Sequence, residues 1–355
     1  MTHGIAMTIG VDLGDRFSHL CALSAEGEVI REERIRSNRA AFEKRFQELG
    51  KARVVMEVGT HSPWVSRCLK ALGHEVIVAD ARRLEAISKN PRKNDRNDAH
   101  LLARLARDPA LLSPVSHASE AVCADRAVMR AREALVRART MLVNTLRGVV
   151  KSFGERLPTC SARSFHRRVR ESVPAILKPA AEPLLAELAS LEAAIRTYDE
   201  RIATLARERY PEVEKLRAIA GVGPLTSLAF VLAIEDPNRF QSSRDAGAFF
   251  GLTPRQDQSG ERDPQLGITK AGNTYVRCLL VCAAQYILGP FGRPCDLKRW
   301  GSALAERGGK NAKKRAVIAV ARKLAVLMHR LWVSGEAYDP NYSTRARAAA
   351  ECSAA

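Results

Sequence analysis

The sequence lacks the long apolar runs that a membrane protein needs. None of its hydrophobic stretches approaches the ~20 residues that a helix requires to cross a bilayer. Its first residues show no basic segment followed by an apolar one, which a secretory signal would have. A membrane surface therefore remains only as a competing polyanion, and we expect a cytoplasmic protein with no membrane partner.

Acidic residues are scarce and paired cysteine motifs are absent. The 355 residues include 39 Asp and Glu against 57 Lys and Arg, which gives a formal net charge of +18. Such a basic protein usually binds a polyanion, because Lys and Arg displace counterions from phosphate backbones. None of the eight cysteines forms a C-x-x-C pair, and Cys278 and Cys282 have helical spacing. We therefore expect reduced thiols and a nucleoid-associated protein that binds nucleic acid.

Short apolar runs alternate with amphipathic ones in the first third of the chain. The pattern predicts strands at 7–14, 17–24, 28–35, 53–57 and 75–79, and helices at 41–49, at 63–72 and after residue 94. The order β-β-β-α-β-α-β-α is that of a ribonuclease-H-like sheet. We predict an α/β domain with a mixed, ribonuclease-H/RuvC-like sheet over residues 1–115.

Four acidic residues occupy informative positions in this predicted domain. Asp12 and Glu57 each end a strand, and in α/β sheets catalytic groups lie at the carboxyl ends of the strands. Asp95 and Asp98 lie on one face near the start of an amphipathic helix. If that helix crosses the same edge, the four carboxylates converge and repel one another, which a pair of Mg²⁺ ions would relieve. Two such ions can clamp the attacking and leaving oxygens of a phosphodiester.

Simpler roles for these four acids stay open on the sequence alone. Salt bridges to Arg96 or Arg104 would account for the helical pair, and solvated turns would account for the two strand ends. Sugar kinases and actin-like ATPases also begin with a strand, an acid and a glycine turn. They need a duplicated domain with a second glycine-rich phosphate loop, and the sequence shows no second β-β-β unit.

The middle of the chain, from residue 121 to about 209, has helical periodicity. Apolar residues recur three and four apart over 128–149 and 188–205, with prolines between the two segments. This predicts a long helical coiled-coil connector over residues 116–210, either a hairpin or a dimerising coiled coil. The first segment is rich in arginine, and we expect nucleic-acid contacts from Arg126, Arg130 and Arg137.

The sequence pattern predicts a mainly helical C-terminal domain over residues 211–335, followed by a loose tail over 336–355. The segment with Gly221 and Gly223 between two helices resembles a helix-hairpin-helix, in which backbone N–H groups approach a phosphate. A glycine-rich helix–helix turn is the alternative. Polar, glycine-bounded loops around Ser259 and Lys270 precede the next apolar helix. Further predicted nucleic-acid contacts are Gly221, Gly223, Lys270, Lys310, Lys313, Lys314 and Arg315.

Taken in order, these motifs resemble the DEDD-type insertion-sequence transposases, the insertion-sequence one-ten family. The resemblance covers about residues 7–333 and rests on residues 10–12, 57, 93–99, 221–224, 251–254, 259–260 and 267–273. It implies a RuvC-like domain, a coiled-coil connector and a C-terminal transposase domain. It also implies Asp12, Glu57, Asp95 and Asp98 as ligands of Mg²⁺ or Mn²⁺.

The resemblance implies further partners and a nucleophile. Ser259 falls in the family's Ser-Gly motif and would join covalently to DNA, with Ser243, Ser242 and Ser227 as the next candidates. A structured guide RNA, the bridge RNA, and assembly into homodimers or homotetramers are implied as well. The chain departs from the family after Glu57, where Val-Gly-Thr-His replaces the commoner small-Thr-Gly.

Three functions follow as hypotheses. The first is a transposase that carries out RNA-guided, metal-dependent cleavage and exchange of donor and target DNA through a serine nucleophile. The second is a RuvC-type junction-resolving endonuclease in which water attacks. The third is a non-catalytic nucleic-acid-binding protein whose acids form surface salt bridges.

Overall fold

Five strands of the N-terminal part form one mixed sheet in the order β3-β2-β1-β4-β5. The strands β1, β2 and β3 are antiparallel neighbours, whereas β1, β4 and β5 run parallel. This is the arrangement of a ribonuclease-H-like sheet, so the predicted α/β class of the N-terminal part is confirmed. The strands are β1 (Met7–Asp12), β2 (Phe17–Ser24), β3 (Val29–Arg36), β4 (Arg53–Glu57) and β5 (Glu75–Ala79).

The computed structural model describes residues 7–80, 94–259, 264, 266–342 and 344–345. The chain divides into two units, Met1–Ser119 and Glu120–Ala355. Some predicted features therefore lie outside the described residues. These are Lys93 of the acidic motif, Gly260 of the Ser-Gly motif and the tail beyond residue 345.

Three helices cover the two faces of the sheet. Helices α1 (Arg39–Gln47) and α2 (Ser62–Ala71) build the larger core on one face, where Phe42 and Phe46 are fully buried with Ile9 and Val11 of β1. Helix α3 (Asp95–Leu105) packs on β1, β2 and β4, with Ala99 and Ala103 buried beside Cys21 and Leu23 of β2. Because side chains alternate along β1, the second face carries Thr8, Gly10 and Asp12.

The second unit is helical throughout its described regular structure, with short 3₁₀ turns at 170–172, 175–177 and 237–239. Its helices are α4 (Glu120–Ser152), α5 (Phe165–Arg168), α6 (Lys178–Arg209), α7 (Glu212–Arg217), α8 (Pro224–Ile234), α9 (Asp245–Phe249), α10 (Thr274–Leu288), α11 (Asp296–Glu306) and α12 (Ala312–Ser334).

The long helices α4 and α6 pack against each other in antiparallel directions. Arg209 Nη1 lies 2.8 Å from Asp125 Oδ1, and farther along the pair Arg139 Nη1 lies 2.5 Å from Glu192 Oε2. Pairs joining ever-closer sequence positions are the signature of a hairpin that closes toward its loop. Phe165 of α5 is fully buried at the loop end of the hairpin, in a hydrophobic cluster with residues of both long helices.

Helices α7 to α12 share a separate hydrophobic core with the ends of α4 and α6. Phe230 of α8 contacts Phe250, with ring centroids 5.3 Å apart, and both are fully buried. Two residues after α12, in the segment predicted as a loose tail, contact α11. Asp296 N donates to Pro340 O at 2.8 Å, and Arg299 Nη2 donates to Asn341 Oδ1 at 2.7 Å. These bonds hold Pro340 and Asn341 against α11, and the boundary of the loose tail stays a prediction.

Among the described helices, none combines the length and the apolar character needed to cross a membrane.

Candidate active site

Asp12 and Glu57 lie side by side at the carboxyl ends of two parallel strands. The register pairs Val11 with Met56, so the next row brings Asp12 beside Glu57. Neighbouring strands are about 4.8 Å apart, and both residues are half-buried. They share the face that α3 covers, because side chains alternate along each strand. On that face Thr8 of β1 donates from Oγ1 to the Ala103 carbonyl of α3 at 3.3 Å, and Arg53 of β4 donates from Nη1 to the carbonyl of Ala106, just after α3, at 3.2 Å.

Helix α3 crosses β1 at Gly10, where backbone meets backbone. A Cβ atom on Gly10 would overlap the Ala99 carbonyl oxygen and the Ala103 nitrogen. Since Thr8 contacts Ala103 and Gly10 contacts Ala99, the helix runs antiparallel to β1. The first turn of α3 therefore points toward the edge at which Asp12 ends its strand.

The two acids of the first turn of α3 differ in burial. Asp98 is only 6% exposed, whereas the side chain of Asp95 is 68% exposed. Asn94 caps the helix, because its side chain accepts from Asn97 N at 2.8 Å. Acidic side chains in the first turn also interact favourably with the helix dipole. The cap and these acids together explain why a helix starts at Asp95. The structure thus places Asp98 on the sheet side and Asp95 at the rim.

One of the two arginines that the sequence suggested as partners of the helical acids pairs with a different residue. Arg96 forms its ion pair with Glu32 of β3, so it is not the salt-bridge partner proposed for Asp95 and Asp98. Asp95 Oδ2 instead lies 3.8 Å from His19 Nε2 on β2. His19 is also the register partner of Asp12. No local pattern singled out His19, although pairing the predicted strands 7–14 and 17–24 across the two residues between them places it beside Asp12.

The loops that follow β1 and β4 bring a second histidine to this edge. His61 Nδ1 accepts from Trp64 Nε1 at 3.0 Å, and its Nε2 lies 3.8 Å from Asp15 Oδ1. His61, which departs from the commoner family pattern, therefore contacts the first turn of α2 through Trp64 and faces the exposed Asp15. This is a local structural role for His61.

The donor set of this edge suits a hard divalent cation. Asp12, Glu57 and Asp98 offer carboxylate oxygens on one face, which are the ligands that Mg²⁺ and Mn²⁺ prefer. Asp95 stands one turn before Asp98 on the rim. The residues present therefore fit the ions that the sequence predicts.

Ser259 lies on a loop whose two ends run antiparallel to each other. We call this paired base, at residues 254–255 and 267–268, the neck of the loop. Pro254 and Ile268 form an antiparallel bridge, and Arg255 N donates to Gly267 O at 2.9 Å. Ser259, four residues beyond Arg255, is exposed. Its role as a nucleophile stays a prediction, and Gly260 lies outside the described residues.

The neck is closed by two glycines and a buried arginine. Gly251 and Gly272 have φ of 65° and 68°, and a Cβ on either would strike the backbone across the neck. Arg277 of α10 is 8% exposed. It donates to Phe250 O at 3.2 Å and to Ala271 O at 2.7 Å, one carbonyl on each side of the loop.

The alternative serines have different surroundings. Ser227 is fully buried and bonds the Gly223 carbonyl of its own helix at 3.1 Å. Ser243 Oγ lies 2.9 Å from His329 Nδ1, while His329 Nε2 lies 2.8 Å from Pro237 O. A carbonyl only accepts, so Nε2 carries the proton and, in the neutral ring, Nδ1 accepts from Ser243. Ser243 therefore has a base in contact.

One predicted nucleic-acid contact is engaged inside the protein. Arg126 donates from Nε to Leu232 O at 2.8 Å and from Nη2 to Ala233 O at 3.4 Å, at the C-terminus of α8. Burial lowers the pKa of this guanidinium. Arg126 therefore caps α8, and its phosphate contact stays a prediction.

The other predicted contacts remain at the surface. Gly223 precedes the first residue of α8, and Gly221 lies two residues before it. Lys270 is exposed beside the neck of the Ser259 loop. The remaining predicted contacts are exposed side chains on α4 or around the start of α12, namely Arg130, Arg137, Lys310, Lys313, Lys314 and Arg315.

Comparison with known proteins agrees with this arrangement. A DEDD-type transposase profile of the IS110 group matches residues 9–154, and the profile "Transposase IS116/IS110/IS902 family" matches residues 213–294. The transposase for insertion sequence element IS1111A of Coxiella burnetii is 31% identical over 343 residues, covering 93% of this chain and 90% of that protein.

Two further relatives match a longer and a shorter part of the chain. A probable family 20 transposase of Pseudomonas aeruginosa is 28% identical over 341 residues, or 94% of this chain and 98% of that protein. The pilin gene-inverting protein of Moraxella bovis is 29% identical over 125 residues, or 35% of this chain and 38% of that protein. The sheet, the acidic edge and the matches over both units together show that this chain belongs to the IS116/IS110/IS902 family of insertion-sequence transposases.

Proposed function

We propose that this transposase cleaves and exchanges donor and target DNA with Asp12, Glu57, Asp95 and Asp98 as metal ligands and Ser259 as the nucleophile. The observation that carries the proposal is the backbone contact of α3 on Gly10. It turns the acidic start of α3 toward the two strand ends that carry Asp12 and Glu57. Regular elements from distant parts of the sequence thus supply oxygen ligands to one edge.

The chemistry follows from the roles of these side chains. When bound, divalent cations would offset the charge of the scissile phosphate and of its leaving oxygen. The Ser259 oxygen attacks the phosphorus and forms a phosphoserine ester as the bond to one DNA oxygen breaks. The serine proton passes to a base, and the leaving oxygen takes up a proton. Because each cleavage conserves one phosphodiester bond, the reverse attack by a DNA hydroxyl reseals the strand and releases Ser259.

The same proposal includes RNA guidance and assembly. The net charge of +18 suits a protein that holds both DNA and a structured RNA. The α4–α6 hairpin would serve as the coiled-coil connector and pair with the same hairpin of a second copy. The acidic residues and the serine of one active site would then come from the subunits of a dimer or tetramer. The turn with Gly221 and Gly223 would act as the helix-hairpin-helix-like phosphate contact.

A covalent-adduct assay tests the serine. End-labelled DNA carrying the element's ends is incubated with the protein, its co-purified RNA and Mg²⁺, and separated on a denaturing gel. Wild type should leave label attached to protein. Ser259→Ala should abolish the adduct, whereas Ser242→Ala, a matched exposed serine, should retain it.

The outcomes of this assay separate the competing functions. Cleavage without an adduct in wild type would favour the RuvC-type endonuclease, with water as attacker. An adduct that persists in Ser259→Ala would overturn the role of Ser259, and Ser243 beside His329 becomes the next candidate. Binding without cleavage, unchanged in Asp12→Asn and with or without Mg²⁺, would favour a non-catalytic binder.

Sequencing of the co-purified RNA tests the guidance separately. We expect one structured species that is encoded beside the transposase gene and contains segments complementary to donor and target DNA. A heterogeneous mixture of cellular RNA would contradict this part of the proposal while leaving the covalent chemistry standing.

A further inference from the structure

A second group of potential metal ligands lies on the same face as the acidic edge but one turn deeper along α3. Cys21 of β2 and Glu32 of β3 are direct register partners, and His100 of α3 lies above them. One ligand atom from each of the three side chains lies within 4.8 Å of the other two. His100 Nε2 is 3.9 Å from Glu32 Oε1.

This group is separate from the acidic edge. Gly10 pairs with Cys21 in the row that continues to Glu32, whereas Asp12 pairs with His19. Two residues along a strand correspond to about 7 Å. A metal bound to Cys21 would therefore lie over the middle of the sheet, away from the strand ends that carry the acidic edge.

The donors also differ in kind from the acidic edge. A thiolate, an imidazole and a carboxylate are a mixed sulfur, nitrogen and oxygen set, which suits Zn²⁺ and similar transition metals and is unlike the all-oxygen sets of Mg²⁺. Burial raises the pKa of the Cys21 thiol to about 11. The thiol is thus protonated in the metal-free protein, and metal binding must release that proton to solvent.

Arg96 is the main competitor for this position. Its guanidinium pairs with Glu32, yet its side chain is 71% exposed. Water and salt screen an ion pair whose arginine is this exposed, so a bound dication can displace it. The pair occupies Glu32 Oε2, whereas Oε1 is the oxygen that approaches His100.

We propose that Cys21, Glu32 and His100 form a binding site for one Zn²⁺-like transition-metal ion that ties α3 to β2 and β3. The ion takes three protein donors and keeps one position for water, as open zinc sites do. Because α3 also carries Asp95 and Asp98, the ion fixes the helix that presents the acidic residues. The site stands on its own geometry and does not depend on the chemistry proposed above.

Cobalt titration of the full-length protein tests this site. All measurements use a Cys278→Ser, Cys282→Ser background, because two exposed thiols one turn apart would also bind soft metals. Reduced, metal-free protein is titrated with Co²⁺, whose bond to a thiolate gives a near-ultraviolet charge-transfer band. We expect this band to saturate at one equivalent and to disappear when Zn²⁺ is added.

Variants assign the band to its ligands. Cys21→Ser should abolish it, and His100→Gln should weaken Co²⁺ binding by about tenfold or more. Cys68→Ser is the matched control, since Cys68 is also a buried thiol with a raised pKa but lies on the opposite face. Circular dichroism of each variant checks that it folds. If Cys21→Ser does not fold, substitution of the half-buried His100 provides the test.

The outcomes separate this site from the acidic one. The band should survive Asp12→Asn and Asp98→Asn, which remove only oxygen donors at the strand ends. The proposal is overturned if the band is absent, if it persists in folded Cys21→Ser, or if His100→Gln binds Co²⁺ with unchanged affinity. Neither result bears on whether Ser259 attacks DNA.

Discussion

The two units position their candidate chemical groups in contrasting ways. In the first unit, Asp12 and Glu57 are the last residues of hydrogen-bonded strands and Asp98 lies on a helix packed against them. In the second unit, Ser259 lies on an exposed loop that is held at its neck. Metal ligands need fixed mutual spacing, which regular elements supply, whereas a nucleophile that meets a large substrate can sit on a loop.

The two units also differ in what their glycines do. Gly10 in the first unit lets a helix backbone lie directly on a strand, so its effect spreads over the whole of α3. Gly251 and Gly272 in the second unit only close a neck, so their effect is local. Four predictions, taken from the largest expected effect to the smallest, can break or sharpen the comparison between the two units.

Gly10→Ala should have the largest effect. The added Cβ meets the backbone of α3 at Ala99 and Ala103, neither of which can move without lifting the helix. We expect the free energy of unfolding to fall by about 3 kcal/mol and strand cleavage to be lost. Urea unfolding measures the first effect and the gel assay the second.

The control for this variant is Gly50→Ala. Gly50 has open space around its Cβ position, so we expect a change within about 0.5 kcal/mol. If Gly10→Ala were equally mild, α3 would not lie on the strand as described, and the acidic edge would lose its support.

Arg277→Met should act on the serine loop. The change leaves the Phe250 and Ala271 carbonyls without their buried donor, which costs about 1–3 kcal/mol. Adduct formation at saturating DNA should slow, while DNA affinity should stay the same. Arg277→Lys should restore part of the rate, because an ammonium can reach at least one carbonyl.

Arg201→Met on the exposed side of α6 is the matched control and should change neither quantity. Loss of DNA affinity in step with the rate would show that Arg277 acts on folding of the whole unit and not on the loop.

Arg126 and Arg130 allow a structural and a surface arginine of one helix to be compared. Arg126→Gln should lower the free energy of unfolding by about 1–2 kcal/mol through lost bonds to the end of α8. Arg130→Gln should leave stability unchanged and reduce the slope of log affinity against log salt concentration by about 0.9. The reverse pattern, measured by urea unfolding and by filter binding at several salt concentrations, would contradict this division.

His117 should give the smallest effect. Its pKa is lowered below 6.5 by burial and then by Arg67 and Lys70, and its Nε2 lies 2.8 Å from Ser62 Oγ. The unfolded chain therefore takes up the proton first as pH falls. The free energy of unfolding should decrease as pH is lowered through 6.5 and level off below the folded pKa. His117→Gln should remove this component from the stability–pH curve, and identical curves would show that His117 is not its source.

Periodicity predicted much of the first unit because its strands are short, apolar and bounded by turns. The predicted ends of β2, β4 and β5 coincide with the observed ones. The acidic start of α3 was predictable since Asn94 caps the helix and Leu102 continues its apolar face. His19 and Cys21 escaped notice because a single histidine or cysteine on a strand carries no signal until register is known.

Prediction was weaker where one residue type serves two purposes. An arginine on a helix looks the same whether it contacts phosphate or, like Arg126, caps another helix. The same holds for the tail, whose polar composition hides the bonds that Pro340 and Asn341 make to α11.

The sequence by itself determined the order of the elements, the basic charge and the identities of the acids at the strand ends and at the start of α3. These depend on local spacing and composition, which the chain carries without folding. Only the tertiary structure decided which face those acids share, that α3 runs antiparallel to β1 across Gly10, and that Cys21, Glu32 and His100 meet. The physical reason is that register and backbone contact join residues far apart in sequence, and no local pattern encodes their distance.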